Sequence, residues 1–210
     1  QNIEHMASRM VYHCRRKERD QRLFGSLPAF SLLTPSCLER GRDITDGGAE
    51  YNWHSICLLG VPDTADSLAV LKRQVFESRQ LPAEVLLDAL KHDFSGGEAL
   101  RGQLLAGTPK YGNGDDETDR IAAELSRSFI ALMDRWSEKG NRLFVHLFSF
   151  YNNVYFGEAV GAMPDGRRAG EPLAYSLSPH QGRDREGVTM LLRSLAKQPH
   201  REAGGASAAI

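Results

Sequence analysis

The stretch Leu143–Phe156, LFVHLFSFYNNVYF, decides the fold class of this 210-residue chain. Apolar and aromatic side chains occupy both the odd and the even positions over most of its length. A half-exposed strand alternates apolar with polar residues, whereas a strand that is covered on both faces does not. The stretch therefore predicts a strand in a buried parallel sheet, and the segments on either side of it must supply the cover.

Helical patterns on both sides of this strand predict that cover. Amphipathic or capped helices are expected over Ile3–Arg19, from a cap at Asp63 through Phe76, from Pro82 to Leu90, after Gly96-Gly97, from the acidic residues 115–117 through Trp136 to a stop at Gly140, and over Thr189–Lys197. Two further strands are expected at Ile56–Val61 and Ala206–Ile210, and residues 23–36 are expected to be a loop with a short buried element. Strands that alternate with helices predict an α/β architecture.

Composition narrows the classes of function. The chain has 26 basic and 27 acidic residues and a net charge of -1, which does not favour a polyanionic partner. The basic run Arg15–Arg19 is broken by Glu18 and is typical of a solvated helix end, so no nucleic acid is expected. No stretch approaches the ~18 apolar residues of a membrane span, and no signal peptide is evident. The three cysteines lack paired spacing, which predicts reduced thiols and a cytoplasmic protein.

Three collinear blocks carry more specific information. The first block is Cys37–Ile44 with Gly47–Asn52 and, after the predicted strand, Asp66–Ala69. The second block is Pro109–Asn113, followed by an acidic run and Asp119. The third block is Gly161–Leu173, followed by Ser178-Pro179, Gly182–Asp184, Gly187 and Ser194–Lys197. In this order and spacing the blocks resemble the large domain of glycyl radical enzymes, the family of pyruvate formate-lyase and its dehydratase and lyase relatives. The resemblance covers most of the chain.

The resemblance implies a fold and a set of partners. The family fold is a ten-stranded α/β barrel made of two half-barrels, so residues 1–210 are expected to form part of that barrel domain, incomplete in this chain. The implied parent enzyme is a homodimer that acts on a small-molecule substrate by thiyl radical chemistry, as an acyltransferase, a dehydratase or a lyase. Its glycyl radical is installed by an activating enzyme that uses S-adenosylmethionine and an iron-sulfur cluster, and no cofactor is expected on this chain itself.

The two motifs that carry the radical in the family do not occur in this sequence. One is a Gly-Cys motif, usually with a glutamate shortly after it, expected upstream of Gln1; the other is an Arg-Val-Ser/Ala-Gly-Tyr loop, expected downstream of Ile210. The chain is therefore expected to be an internal portion of a longer enzyme, to hold no catalytic residue and to be inactive alone. Cys37 matches a family position outside the cysteine loop. A non-catalytic scaffold or binding module derived from the barrel is the alternative.

Departures from the family pattern leave the substrate subclass open. Many dehydratase relatives carry Gly-Pro-Thr where this chain has Gly187-Val188-Thr189, and Ala-Asp-Gly where it has Ala174-Tyr175-Ser176.

Candidate substrate-binding residues follow from the strand prediction. Ser149, Tyr151 and Asn153 carry polar groups in an otherwise apolar segment, and polar groups on a buried strand require a partner, which a bound substrate would supply. A second interpretation also fits the residues: Ser149, Asn152 and Asn153 bond to neighbouring loops, and Tyr151 belongs to the core.

A structural role is predicted for the turn Asp165-Gly166-Arg167. Asp165 and Arg167 can form charge-assisted hydrogen bonds that hold the loop over the barrel mouth, and Gly166 can supply a positive φ. Asp43 and Tyr51 are likewise expected to fix loops. His54, His146 and His180 have no carboxylate at motif spacing and are expected to be packed or at the surface. No His, Cys, Asp and Glu cluster has metal-ligand spacing, so no bound metal is expected.

Overall fold

The computed structural model describes residues 2–138 and 142–208. The chain divides into two compact units, one formed by residues 1–56 and 129–145 and the other by residues 57–128 and 146–210. The helices in chain order are α1 (Asn2–Phe24), α2 (Pro28–Leu32), α3 (Pro35–Arg40), α4 (Val61–Val70), α5 (Ala83–Lys91), α6 (Glu98–Ala106), α7 (Asp116–Trp136), α8 (Asn152–Ala159) and α9 (Gly187–Ala196), and the strands are β1 (His54–Cys57), β2 (Leu143–Leu147) and β3 (Gly205–Ala206).

The three strands form one sheet in the order β1-β2-β3. β2 and β3 are parallel, with His146 opposite Gly205 and Leu147 opposite Ala206. On the other side of β2, His54 N donates to Arg142 O and Leu58 N donates to His146 O. Both chains advance by four residues between these two bonds, so β1 is also parallel to β2. The α/β class predicted from the sequence is confirmed.

Most of the predicted helices are present. α1, α5, α6, α7 and α9 lie where periodicity placed them, and α4 continues through Phe76 as a π-helix, Leu71–Glu77. One core cluster of the second unit consists of Val70, Leu81, Leu86, Phe94 and Leu104, contributed by α4, α5, α6 and their connections. The predicted stop at Gly140 and the end of the last strand at residues 209–210 lie outside the described residues.

The predicted loop over residues 23–36 is wrong, because the segment forms α2 and part of α3. Each helix has proline in its first turn, where the missing N–H costs nothing because that group has no partner within a helix. α2, the helix that lies wholly within this stretch, is not the buried element that was expected: none of its residues is buried, and Phe30 is 62% exposed. The strand expected at Ile56–Val61 is displaced to His54–Cys57, because Gly60 and Pro62 start α4 at Val61.

Two further corrections concern Asp63 and the segment that contains the predicted substrate-binding residues. Asp63 does not cap α4; Gly60, with φ of 70°, holds the N-cap position, and Asp63 is fully buried one turn later. The long strand expected over Leu143–Phe156 ends at Leu147, and α8 begins at Asn152. Phe150 adopts a φ of 48° between them, which is incompatible with a continuous strand.

Candidate functional site

The carboxyl ends of β2 and β3 are the first candidate site. Ligands of parallel α/β sheets bind beyond this edge, where successive loops converge. The segment after β2, residues 148–156, contains all three residues predicted to bind substrate. It lies in the second unit together with β3 and the loop 173–178.

Ser149 and Ser176 form a reciprocal pair. Ser149 N donates to Ser176 Oγ at 3.0 Å, and Ser176 N donates to Ser149 Oγ at 3.0 Å. Ser207, just beyond β3, donates its hydroxyl to Ser176 Oγ at 3.0 Å. Ser149 and Ser176 are both buried. This serine cluster, Ser149, Ser176 and Ser207, ties three loops together beyond the ends of the strands.

Asn153 forms a second reciprocal pair, one helical turn further on. Its Nδ2 donates to Leu173 O at 3.2 Å, and Leu173 N donates to Asn153 O at 3.0 Å. The segment between β2 and α8 is therefore fastened to residues 173–176 at both of its ends. Ser149 and Asn153 have bonds to neighbouring loops, as the second interpretation of the sequence proposed.

Tyr151 lies between these two fastened points and is 81% exposed, so its assignment to the core is wrong. Other aromatic side chains surround it in the sequence. Phe148 and Phe150 meet edge to face with ring centroids 4.7 Å apart, and Tyr155 and Phe156 are also exposed. The structure thus presents an aromatic surface, residues 148–156, at the carboxyl end of β2.

The turn Asp165-Gly166-Arg167 lies in the same unit and is deeply buried. Arg167 has no exposed surface and donates to the main-chain oxygens of Pro172, Val160, Gly161, Gly157 and Glu171. Gly166 has a φ of 95°, which confirms the predicted positive φ. These contacts support the predicted structural role of the turn, which stays a prediction.

Asp165 belongs to a buried cluster of charges that the sequence did not reveal. Arg183 Nη1 contacts both Asp165 Oδ2 and Asp66 Oδ2, and Asp66 Oδ1 accepts from Tyr111 N at 2.7 Å. Lys110 Nζ donates to Leu104 O at 2.8 Å. Burial raises the pKa of Asp66 to about 7, and burial also lowers the pKa of Lys110.

His180 has a carboxylate partner after all. Its Nδ1 lies 2.6 Å from Oδ1 of the fully buried Asp63, whose Oδ2 accepts from Ala174 N. This hydrogen bond fixes the orientation of the His180 ring. Sequence spacing could not reveal this pair, because its members are 117 positions apart.

His180, Lys110 and Arg183 line a cavity of about 1010 Å³ in the second unit. Two of its three acidic lining residues, Asp115 and Glu171, are paired with Arg73 and Arg101 respectively. These two carboxylates are thereby compensated within the unit.

The first unit contains the predicted loop residue Asp43. Its carboxylate accepts from Thr45 N at 2.9 Å and from Leu27 N, and the hydroxyl of Ser31 donates to it at 2.9 Å. Hydrogen bonds from Thr45 hold the pKa of Asp43 well below its usual range. Asp43 fixes its loop, as predicted, whereas Tyr51 is 66% exposed and meets Trp53 edge to face.

No helix among the described residues has the length and apolar character that crossing a lipid bilayer would require.

Comparison with solved structures identifies the fold. The glycerol-bound B12-independent glycerol dehydratase from Clostridium butyricum matches 98% of this chain with a TM-score of 0.93 and 31% identity. A glycyl radical enzyme from Archaeoglobus fulgidus also matches 98% of it, with a TM-score of 0.90 and 30% identity. This chain covers 26% of each of those chains. The prediction of an incomplete part of the glycyl radical enzyme barrel is confirmed.

Comparison by sequence agrees with the structures. Trans-4-hydroxy-L-proline dehydratase from Clostridioides difficile is 35% identical over 85% of this chain and 23% of its own length. The probable dehydratase YbiW from Escherichia coli strain K12 is 36% identical over 80% of this chain and 22% of its own length. The chain thus spans about a quarter of the length of these relatives. The family model for pyruvate formate lyase-like proteins matches residues 1–157, so the chain belongs to the pyruvate formate lyase-like family.

Proposed function

We propose that the protein containing this chain is a glycyl radical enzyme of the dehydratase or lyase type, and that it acts on a small organic substrate. One observation carries the proposal: nearly the whole chain superposes on a glycyl radical dehydratase at a TM-score of 0.93. The relatives matched by sequence, a hydroxyproline dehydratase, isethionate sulfite-lyases and a sulfopropanediol dehydratase, support the same class.

Within such an enzyme, residues 148–156 would form part of the substrate cavity wall. Tyr151 would contact the substrate, because its ring and hydroxyl are exposed at the carboxyl end of β2. Ser149 and Asn153 would hold that contact surface through their bonds to Ser176 and Leu173. Phe148 and Phe150 would exclude water from it, which protects reactive intermediates from side reactions.

A glycyl radical would supply hydrogen-atom abstraction through a cysteine thiyl, and residues 1–210 contain neither of the two motifs for it. The residues of this chain would bind and orient the substrate and shield it. The proposal includes a homodimer in the cytoplasm and an activating enzyme with S-adenosylmethionine and an iron-sulfur cluster. It also includes a structural role for Asp165, Gly166 and Arg167.

The test is anaerobic activation of the natural protein, followed by electron paramagnetic resonance and turnover with a panel of small diols, hydroxyprolines and hydroxysulfonates. A glycyl radical signal with turnover of one of these classes is expected. Tyr151→Ala should lower kcat/KM by about tenfold or more through lost transition-state contact, and Tyr151→Phe separates the hydroxyl from the ring. Tyr12→Ala, at another exposed tyrosine, on α1, is the control.

A non-catalytic binding module is the second candidate, favoured by the exposed apolar side chains of α2, of Leu33 between α2 and α3, and of Leu38 in α3. Phe30, Leu32 and Leu33 are each more than 60% exposed. Absence of a glycyl radical after activation, together with stable complex formation through these helices, would support the module and contradict the enzyme.

A further inference from the structure

The connection between β2 and α8 contains backbone conformations that ordinary side chains rarely adopt. Phe150 has a φ of 48° and Ser176, its neighbour across the serine cluster, a φ of 55°. For residues other than glycine the left-handed region is disfavoured, and such conformations persist only where the surroundings hold them. A serine at position 176 therefore requires contacts that compensate for the strain of its backbone.

The hydroxyl of Ser176 provides the explanation. Ser176 Oγ accepts the Ser149 N–H at 3.0 Å and the Ser207 hydroxyl at 3.0 Å. A glycine would adopt the same φ with less strain, but it would leave the buried Ser149 N–H without this partner. Ser149 in turn donates its hydroxyl to Phe150 O at 3.1 Å. A continuous path of hydrogen bonds thus runs from β3 through Ser176 to the left-handed Phe150.

We infer that Ser176 is a positioning residue for the aromatic surface 148–156, and that its hydroxyl fixes the direction in which Tyr151 projects. The consequence for substrate binding rests on the proposed function, in which Tyr151 contacts the substrate. Ser176 itself is buried and does not need to touch the substrate; it acts through Ser149 and Phe150. Removing the hydroxyl should loosen the connection without disturbing the fold of β2 or α8.

Two variants separate the hydroxyl from the backbone. Ser176→Ala removes the hydroxyl and keeps a side chain in the left-handed region, whereas Ser176→Gly removes the hydroxyl and relieves the strain. Ser176→Gly should therefore be at least as stable as Ser176→Ala, so a loss shared by both variants follows from the missing hydroxyl and not from left-handed strain. Ser126→Ala is the matched control, since Ser126 is equally buried and its Oγ has no partner among the described residues.

The natural protein and its variants would be compared by amide hydrogen exchange of residues 148–154 and by KM for the substrate. In both position-176 variants we expect the Ser149 amide to exchange about tenfold faster and KM to rise about fivefold, with the glycyl radical yield unchanged. Ser126→Ala should leave all three readouts at wild-type values.

Wild-type exchange in Ser176→Gly would overturn the inference, and so would a wild-type KM in a variant that carries a full radical signal. Failure of the proposed function looks different, because the wild-type protein itself would then show no glycyl radical. In that case the exchange measurement alone decides whether the Ser176 hydroxyl anchors this segment.

Discussion

Arg167 shows how one residue can organise a loop without an ion pair. Among the described residues its guanidinium contacts only main-chain oxygens, five of them, within a site that solvent does not reach. Removing the guanidinium would leave these buried carbonyl oxygens without donors, and each would then cost its full desolvation free energy. The Arg167 side chain is therefore hard to replace.

Replacing Arg167 with Ala should therefore destabilise the protein by about 3 kcal/mol or more. Arg167→Lys should recover only part of this loss, because an ammonium cannot reproduce the planar fork of donors. The measurement is urea denaturation of the natural protein. Arg120→Ala, which removes an exposed pair with Glu124, should cost less than about 0.5 kcal/mol. A loss no larger than that of Arg120→Ala would contradict the proposed structural role.

Asp66 predicts a pH dependence of stability. Burial raises its pKa to about 7 from an ordinary value of 3.8, so between these values the folded state binds the proton and the unfolded state releases it. The stabilisation is complete below the unfolded pKa and is lost as pH rises through 7.

Urea midpoints at pH 5 and pH 8 measure this effect. Between these values the wild type should lose more stability than Asp66→Asn, in which the side chain cannot ionise. Asp184→Asn, at an exposed position, should follow the wild type. A wild-type stability that rises relative to Asp66→Asn over this range would refute the assignment.

At the scale of elements, a glycine sets how closely two loops approach. Gly112 has a φ of 90°, and a Cβ there would lie 2.1 Å from Pro179 Cγ. Gly96 has a similar φ of 72° but faces open space. Comparing substitutions at Gly112 and Gly96 separates the free-energy cost of a steric clash from that of backbone strain.

Gly112→Ala should cost about 3 kcal/mol or more, since overpacking adds to the left-handed strain, whereas Gly96→Ala should cost only about 1–2 kcal/mol. Thermal unfolding of the two variants measures the difference. Equal losses would mean that the Pro179 loop moves aside freely.

How much of this could be predicted differs between elements. The periodic helices α1, α5, α6, α7 and α9 were predictable, because a single buried face leaves a 3.6-residue pattern in the sequence. The end of β2 was not, because aromatic residues continue past Leu147 into an exposed segment and resemble a buried strand. The sequence of residues 148–151, FSFY, does not predict a left-handed Phe150. That conformation depends on the hydrogen bonds between Ser149 and the distant Ser176.

The candidate site was predicted in part. Ser149, Tyr151 and Asn153 do lie in one segment at the edge of the sheet. Their division into two hydrogen-bonded residues and one exposed residue depends on partners 20 or more positions away or on solvent exposure. The pairs Asp63–His180 and Asp66–Arg183 are equally distant in sequence, and periodicity carries no signal for such pairs.

At the scale of the whole molecule, exposed apolar surface is the feature to test. Four apolar side chains in α1, α2 and the connection to α3 are 62–87% exposed: Phe24, Phe30, Leu32 and Leu33. Patches of this kind promote association. A polypeptide of residues 1–210 alone should self-associate, as measured by light scattering during size-exclusion chromatography.

The double substitution Phe30→Ser and Leu33→Ser should reduce that association. The matched control is Val188→Ser with Leu192→Ser on α9, where the side chains are about half exposed. Equal association in both double variants would show that α2 is not responsible for it.

The contacts of Arg167 bear on which substitutions its loop can accept. Because its guanidinium recognises only peptide oxygens, it does not depend on which side chains stand at positions 160, 161, 171 and 172. Gly157 is the exception, since a Cβ there would lie 2.5 Å from Glu171 O. For these four positions the Arg167 contacts thus constrain the path of the backbone and not the chemistry of the side chain.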